Sequence, residues 1–317
     1  MKSVMVTGAA GFIGSHVVEA LLERGARVVG VDNFDTMYER ALKERNIAQA
    51  VSRGATLVEA DITDAGTMRE LMQRHAPETV VHLAAKAGVR PSQRDPAGYA
   101  HTNVTGTAVV LAEGAKAGVK RCVVASSSSV YGNNETLPFS ETDRIDRPIS
   151  PYAATKVATE ALCFTHWHAH QTPTACLRFF TVYGPRQRPD LAIRKFMRWI
   201  SAGEPIEFYG DGSASRDYTF IDDIVAGVLA AIERIDDHGY RVWNLGSDAP
   251  VTLRELVRAI ERTVGREAQL DRKPAQVGDV ERTWADLKRA REELAYAPTT
   301  DLLTGLAKQW AWMRAED

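Results

Sequence analysis

The chain has 317 residues, with 39 Lys and Arg against 41 Asp and Glu for a formal charge of −2, and it is 44% hydrophobic and 25% charged. That is the composition of an ordinary globular protein, and it excludes a disordered chain, a coiled coil and a collagen-like polymer. The near-neutral balance also argues against a general nucleic-acid binder, which needs a basic surplus to meet phosphates. No stretch approaches the ~20 apolar residues of a membrane span, and residues 1–7 are too few for a signal-peptide core. Three cysteines, Cys122, Cys163 and Cys176, show no metal-like spacing. They read as small core residues in a reducing compartment, so a cytoplasmic protein is expected.

Short apolar runs predict strands at 3–7, 27–31, 56–59, 79–83, 121–125 and 174–179. Several are apolar at consecutive positions, as strands covered on both faces are. Helical patterns fill most gaps, at 11–24, 65–75, 103–117 and 152–169. Strand–helix alternation of this kind predicts a doubly wound α/β fold with a parallel sheet. After about Thr181 the rhythm loosens. A hairpin is expected over 208–218, helices at 222–234 and 253–264, and a strand at 241–245 that returns to the main sheet. The expected division is a dinucleotide-binding domain over 1–180 and a smaller, mainly substrate-binding lobe over 181–317. Two long irregular segments, 91–98 and 133–150, have the length of lids or binding loops.

Thr7-Gly8-Ala9-Ala10-Gly11-Phe12-Ile13-Gly14 joins the first strand to the first helix. There the chain must turn tightly, approach a pyrophosphate and let helix pack on sheet, and a Cβ obstructs each task. Asp32 ends the second strand 18 residues after Gly14. A carboxylate there accepts hydrogen bonds from adenosine ribose hydroxyls and repels a 2′-phosphate, which favours NAD over NADP. Tyr152 and Lys156 are four apart near a helix start and so share a face. A phenol has a pKa near ~10. An ammonium about 4 Å away at an effective dielectric of ~20 is worth roughly 4 kcal/mol, enough to bring the phenol toward neutrality as a base. His166, His168 and His170 alternate near the end of that helix. A helix C-terminus favours imidazoles through its dipole, and no metal site is expected.

These features, with the serine run 126–129 before Val130-Tyr131-Gly132, resemble the extended short-chain dehydrogenases/reductases over nearly the whole chain. The resemblance implies a Rossmann-type fold and a catalytic set of Ser127, Tyr152 and Lys156. It also implies cofactor contacts at Gly8, Gly11, Phe12, Ile13, Gly14, Asp32, Asn33, Asp61, Ile62, Leu83, Ala84, Ala85, Lys86, Asn103 and Phe179, besides Tyr152 and Lys156. Further along, residues 177–190 (Leu-Arg-Phe-Phe-Thr-Val-Tyr-Gly-Pro-Arg-Gln-Arg-Pro-Asp), 87–90 and 216–223 look like nucleotide-sugar 4-epimerases acting on UDP-glucuronate. That likeness implies sugar-nucleotide contacts at Arg90, Ser127, Ser128, Thr181, Arg188, Phe208, Arg216 and Asp279, and a homodimer formed through the helices 103–117 and 152–169. The chain departs from the pattern at Gln276-Val277-Gly278-Asp279, where many relatives read Pro-Gly-Asp. A UDP-glucose 4-epimerase, a UDP-glucuronate decarboxylase and a non-catalytic NAD(H) sensor are the rival expectations.

Overall fold

Runs such as Val4-Met5-Val6 and Val28-Val29-Gly30-Val31 are buried throughout, so they form strands that need cover on both sides. In the computed structural model, which describes residues 2–274 and 280–316, they start a regular alternation. It runs β1 (Ser3–Thr7), α1 (Phe12–Glu23), β2 (Arg27–Asp32), α2 (Arg40–Ser52), β3 (Thr56–Glu59), α3 (Ala65–His75) and β4 (Thr79–His82). Then come α4 (Val89–Arg94), α5 (Pro96–Ala100), a π-helical turn (His101–Thr105), α6 (Gly106–Lys116), β5 (Arg121–Ser127), α7 (Pro151–His170) and β6 (Thr174–Phe179). The second half holds β7 (Thr181–Tyr183), α8 (Ala192–Ala202), β8 (Ile206–Tyr209), β9 (Ser215–Phe220), α9 (Ile221–Arg234) and β10 (Tyr240–Leu245). It closes with β11 (Pro250–Thr252), α10 (Leu253–Val264), β12 (Leu270–Lys273), α11 (Lys288–Leu294) and α12 (Leu302–Glu316).

Seven strands make one parallel sheet in the order β10-β6-β5-β4-β1-β2-β3. This is the doubly wound Rossmann arrangement, and its order reverses between β1 and β4, where such sheets open a crevice for ligands. β10 pairs with β6 from Tyr240 opposite Thr174 to Leu245 opposite Phe179, so the second half of the chain completes the main sheet. The remaining strands form two small sheets, β11-β9-β7 and β12-β8. Two buried clusters flank the main sheet, one around Val17, Leu21, Ile224 and Trp243, the other around Met68, Met72, Val110 and Cys163. Among the described residues, no helix is long and apolar enough to cross a membrane.

Three local expectations are corrected. Residues 208–218 are not a hairpin: β8 pairs with β12 in parallel, and β9 pairs with β7 and β11. Gly210 and Gly212 (φ +68° and +84°) turn the chain from one small sheet to the other. The segment 91–98 is helical, in α4 and α5, with the Asp95 carboxylate capping the Gly98 N–H at 2.9 Å. Helix α2 has no counterpart in the sequence reading, because its buried positions are Lys43, Asn46, Ile47 and Ala50, half of them polar.

Candidate active site

Gly8 has φ +71°, and a Cβ there would lie 2.8 Å from the Ala84 backbone nitrogen. A Cβ on Gly14 would lie 2.0 Å from the Gly8 carbonyl oxygen. Glycine is therefore required at both, and the turn brings the start of α1 close against the sheet. The first turn of α1 carries no acid and no side-chain cap, so its N–H groups remain for an anion. Beside it the Asp32 carboxylate accepts the Ala10 N–H (3.0 Å) on one oxygen and the Phe34 N–H (2.8 Å) on the other. A turn only glycine can fill, an uncapped helix start and a fixed carboxylate together fit the pyrophosphate and ribose of a dinucleotide.

A cavity of about 490 Å³ runs along the C-terminal ends of the parallel strands. At the β1–β2 end it is lined by Gly8, Gly11, Phe12, Ile13, Gly14, Asp32 and Asn33, with Ile62 beyond them. Past β4 come Leu83, Ala84, Ala85 and Lys86, and past β5 come Ser127 and Ser128 with Tyr152 and Lys156 facing them. Phe179, Thr181, Arg188 and Arg216 close the far end.

Some residues singled out in the sequence lie outside this lining. Asp61 accepts hydrogen bonds from Asn33 (2.9 Å) and Thr63, and so orders Asn33 rather than facing the cavity. Asn103 is buried; its oxygen accepts the Lys86 N–H, and its amide donates to the Lys86 carbonyl and to Thr155. It ties down the loop that carries Lys86. Phe208 is buried with the Arg272 guanidinium 5.2 Å over its ring, and the Arg90 guanidinium lies 5.2 Å from the ring of Tyr209. Asp279 lies outside the described residues. Conversely, Met37, Tyr38 and Lys43 line the cavity without having been singled out. They come from the polar β2–α2 stretch, and no motif or periodicity marks them.

Tyr152 enters α7 one residue after Pro151, behind the Ser150 cap whose hydroxyl accepts the Ala153 N–H (3.1 Å). Burial pushes the phenol pKa up, while a hydrogen bond with Ser127 and the charge of Arg188 draw it down. Lys156 donates to the Ala125 carbonyl (2.8 Å), and burial pulls its ammonium down to about 8. The expected pull of the Lys156 ammonium on the phenol leaves out desolvation, and here desolvation is the larger effect. The ammonium donates to β5, desolvation acts on both groups, and the phenol stays above its ordinary pKa although Ser127 and the Arg188 charge draw it down.

Beneath these residues lies a closed polar network. Glu160, one turn beyond Lys156, accepts from Ser126 (2.6 Å) and from two nitrogens of Arg178 (2.8 Å each), and Arg178 also donates to Tyr131. At the end of β4, His82 joins Thr7 (2.7 Å) to Thr107 (3.1 Å). Burial, followed by the Lys156 charge, lowers its pKa to about 3 and keeps it neutral. At the far end, Arg188 donates to both oxygens of Asp190 (2.9 and 2.6 Å) and to the Ala87 carbonyl (3.1 Å). Arg216 donates to the carbonyls of Ser215 and Glu281. The rings of His166 and His170 lie 5.1 Å apart, tilted by 50°, and among the described residues no three His, Cys, Asp or Glu side chains gather as metal ligands. The three cysteines are buried thiols.

The sequence model described as the NAD dependent epimerase/dehydratase family matches residues 4–246. The chain belongs to that family. Within it, the chain is 44% identical over 327 residues to UDP-glucuronate 4-epimerase 1 of Arabidopsis thaliana, spanning 98% of this chain and 76% of the relative. Among solved structures it resembles UDP-glucuronic acid 4-epimerase from Bacillus cereus in complex with UDP-glucuronic acid and NAD. That pair has a TM-score of 0.94 and 34% identity over 99% of this chain and 100% of the other. It also resembles UDP-glucose 4-epimerase from Thermotoga maritima with UDP-glucose, at a TM-score of 0.90 and 34% identity over 99% of each chain. Family membership accounts for the dinucleotide end of the cavity; the two neighbours differ in the sugar named.

Proposed function

We propose that the protein is an NAD-dependent UDP-glucuronate 4-epimerase, interconverting UDP-glucuronate and UDP-galacturonate through a transient 4-keto sugar. The observation that carries this reading is the presence of Thr181 and Arg188 on the same cavity as Ser127 and Tyr152, in a chain whose similar sequences include several named UDP-glucuronate 4-epimerases. NAD, when bound, supplies a hydride acceptor that gives the hydride back, so the cofactor ends unchanged.

The chain's own residues do the rest. Tyr152 takes the proton of the sugar 4-hydroxyl at its phenol oxygen and later returns it, and Ser127 hydrogen-bonds the reacting oxygen. Lys156 holds the nicotinamide ribose and adds positive charge beside Tyr152. Oxidising C4 of a uronic acid creates a β-keto acid, which loses CO₂ when the C5–carboxylate bond lines up with the carbonyl π system. Arg188 grips that carboxylate, Thr181 donates to it, and together they hold it where the overlap is poor. Arg90, Ser128, Phe208, Arg216 and Asp279 are the remaining contacts proposed for the nucleotide sugar. The residues after Thr181, apart from β10 and the α9 helix that covers the main sheet, form the lobe proposed to receive it.

The Thermotoga neighbour supports one alternative, a UDP-glucose 4-epimerase. Incubating the purified protein separately with UDP-glucuronate and with UDP-glucose, and identifying products by NMR, separates the two. UDP-galacturonate without a pentose product is expected. Conversion of UDP-glucose alone would reject the reading, and a pentose product would make the protein a decarboxylase.

We further propose a cytoplasmic homodimer. Ala108, Val109 and Ala112 of α6 and Ala154, Val157 and Ala161 of α7 are left partly or fully exposed on two adjacent helices, an apolar face that a second copy would cover. Light scattering coupled to gel filtration should give twice the 34.9 kDa chain mass, and a monomer would refute this.

A further inference from the structure

Lys43 reaches the dinucleotide end of the cavity from α2. Its side chain is 8% exposed, and its ammonium lies 3.7 Å from Asp32 Oδ1 and 5.0 Å from the centroid of the Tyr38 ring. Both Asp32 and Lys43 line the cavity. A lysine this deeply buried needs a counter-charge, and Asp32 provides one. The separation is an ion pair but too long for a hydrogen bond, so a ligand oxygen can still take the ammonium's N–H groups. Asp32 itself is held by the Ala10 and Phe34 N–H groups whether or not Lys43 is present.

In dinucleotide folds, the acid at the end of the second strand meets the ribose 2′-hydroxyl, and a basic side chain near the same point accommodates a 2′-phosphate. Here both stand together. Arg40, which also lies close to this point on the chain, is committed elsewhere: its guanidinium bonds Glu59 and Glu44 and lies over the Phe34 ring.

We propose that Lys43 is a cofactor-selecting residue, the cation of a latent 2′-phosphate subsite that Asp32 masks. The proposal rests on the NAD site described above and goes beyond it. Asp32 repels a 2′-phosphate and Lys43 attracts it, so the wild-type chain discriminates by the difference between the two. Removing either charge moves the preference in opposite directions.

The test reads nucleotide content, not turnover. Purified protein is equilibrated with an equimolar excess of NAD⁺ and NADP⁺ and desalted, and the nucleotide released on denaturation is quantified by chromatography. Wild type should carry mainly NAD. Asp32→Asn should raise the NADP-to-NAD ratio by about tenfold or more, the size of one charge-assisted hydrogen bond. Adding Lys43→Met to Asp32→Asn should return most of that gain, and Lys43→Met alone should lower the ratio below wild type. A double variant that keeps the full NADP gain would overturn the proposal. If Asp32→Asn does not fold, Lys43→Met alone decides, and an unchanged ratio rejects it. Proteins that carry neither nucleotide would overturn the cofactor site itself, and the proposal with it.

Discussion

At the β1–β2 end of the cavity, the groups facing a ligand are backbone N–H groups, the short Asp32 carboxylate and the Lys43 ammonium beside it, set around a turn whose approaches are too close to admit a methyl group at Gly8 or Gly14. At the far end they are arginine side chains, Arg188 and Arg216, held by a carboxylate and by carbonyls. The first end is shaped mainly by the backbone, at the turn that Gly8 and Gly14 close. The second is shaped by long side chains from separate segments, so exchanging a few of them changes the sugar without disturbing the sheet. Between the two ends lie Tyr152 and Lys156, which the proposed mechanism uses for either sugar. The fold likeness to both a glucuronate and a glucose epimerase is what such a division produces.

The largest effect should come from the shared middle. Tyr152→Phe should fold and still carry NAD, yet lose about 10²–10⁴-fold in turnover, the usual contribution of a general base. Retention of more than about a tenth of wild-type activity would contradict that role. A smaller, sugar-specific effect should come from the far end. Arg188→Ala removes a charged hydrogen-bonding partner, worth about 1.5–3 kcal/mol, so KM for UDP-glucuronate should rise roughly ten- to a hundredfold. Arg188→Ala and Thr181→Ala should also release more CO₂ per turnover, while bound NAD is unchanged. Steady-state kinetics with a CO₂ assay and nucleotide analysis would check both, and loss of NAD in either variant would break the contrast between the ends.

The smallest effect is one of stability. His82 lies under the glycine turn with its pKa lowered to about 3, against 6.5 for the ordinary group. Between those values the unfolded chain binds a proton that the folded chain refuses, so stability falls as pH drops from about 6.5 toward 3. His82→Gln should flatten that slope by one proton. Urea melts of both proteins at pH 7 and pH 5 would show it, and equal slopes would remove His82 from the account.

Much of this is legible in the sequence. Buried parallel strands are apolar at successive positions, so β1 to β6 stand out, and the strand–glycine–helix order marks the cofactor end. What stayed hidden had physical reasons. Helix α2 buries Lys43 and Asn46 on its inner face, which erases the apolar stripe that periodicity detects. Lys43 therefore carries no periodic signal, nor does Tyr38 in the loop before the helix, although both line the cavity. The 91–98 segment reads as loop because Pro91, Pro96 and Gly98 punctuate it, yet short helices tolerate proline in a first turn. Glycines at 210 and 212 suggest a hairpin, but the partners that the strands take, β12 and β11, lie some 35–65 residues further on, beyond the reach of local pattern. At the sugar end, Arg188 and Thr181 could be named only through resemblance, because a lone loop arginine carries no periodic signal.

The return of β10 to the edge of the main sheet has a consequence for how the chain holds together. Cutting at Thr181 would leave β6 as an open edge strand, its buried residues Ala175, Cys176 and Leu177 facing water and its free N–H and C=O groups ready to pair with another chain. The cut would also strip Asn244 from Tyr131, and with it the far anchor of the Glu160–Arg178 network beneath Ser127. A fragment of residues 1–180 should therefore aggregate rather than bind cofactor, and the intact chain should melt in one cooperative step. The segments on either side of Thr181 complete one sheet, and they should fold as a single unit.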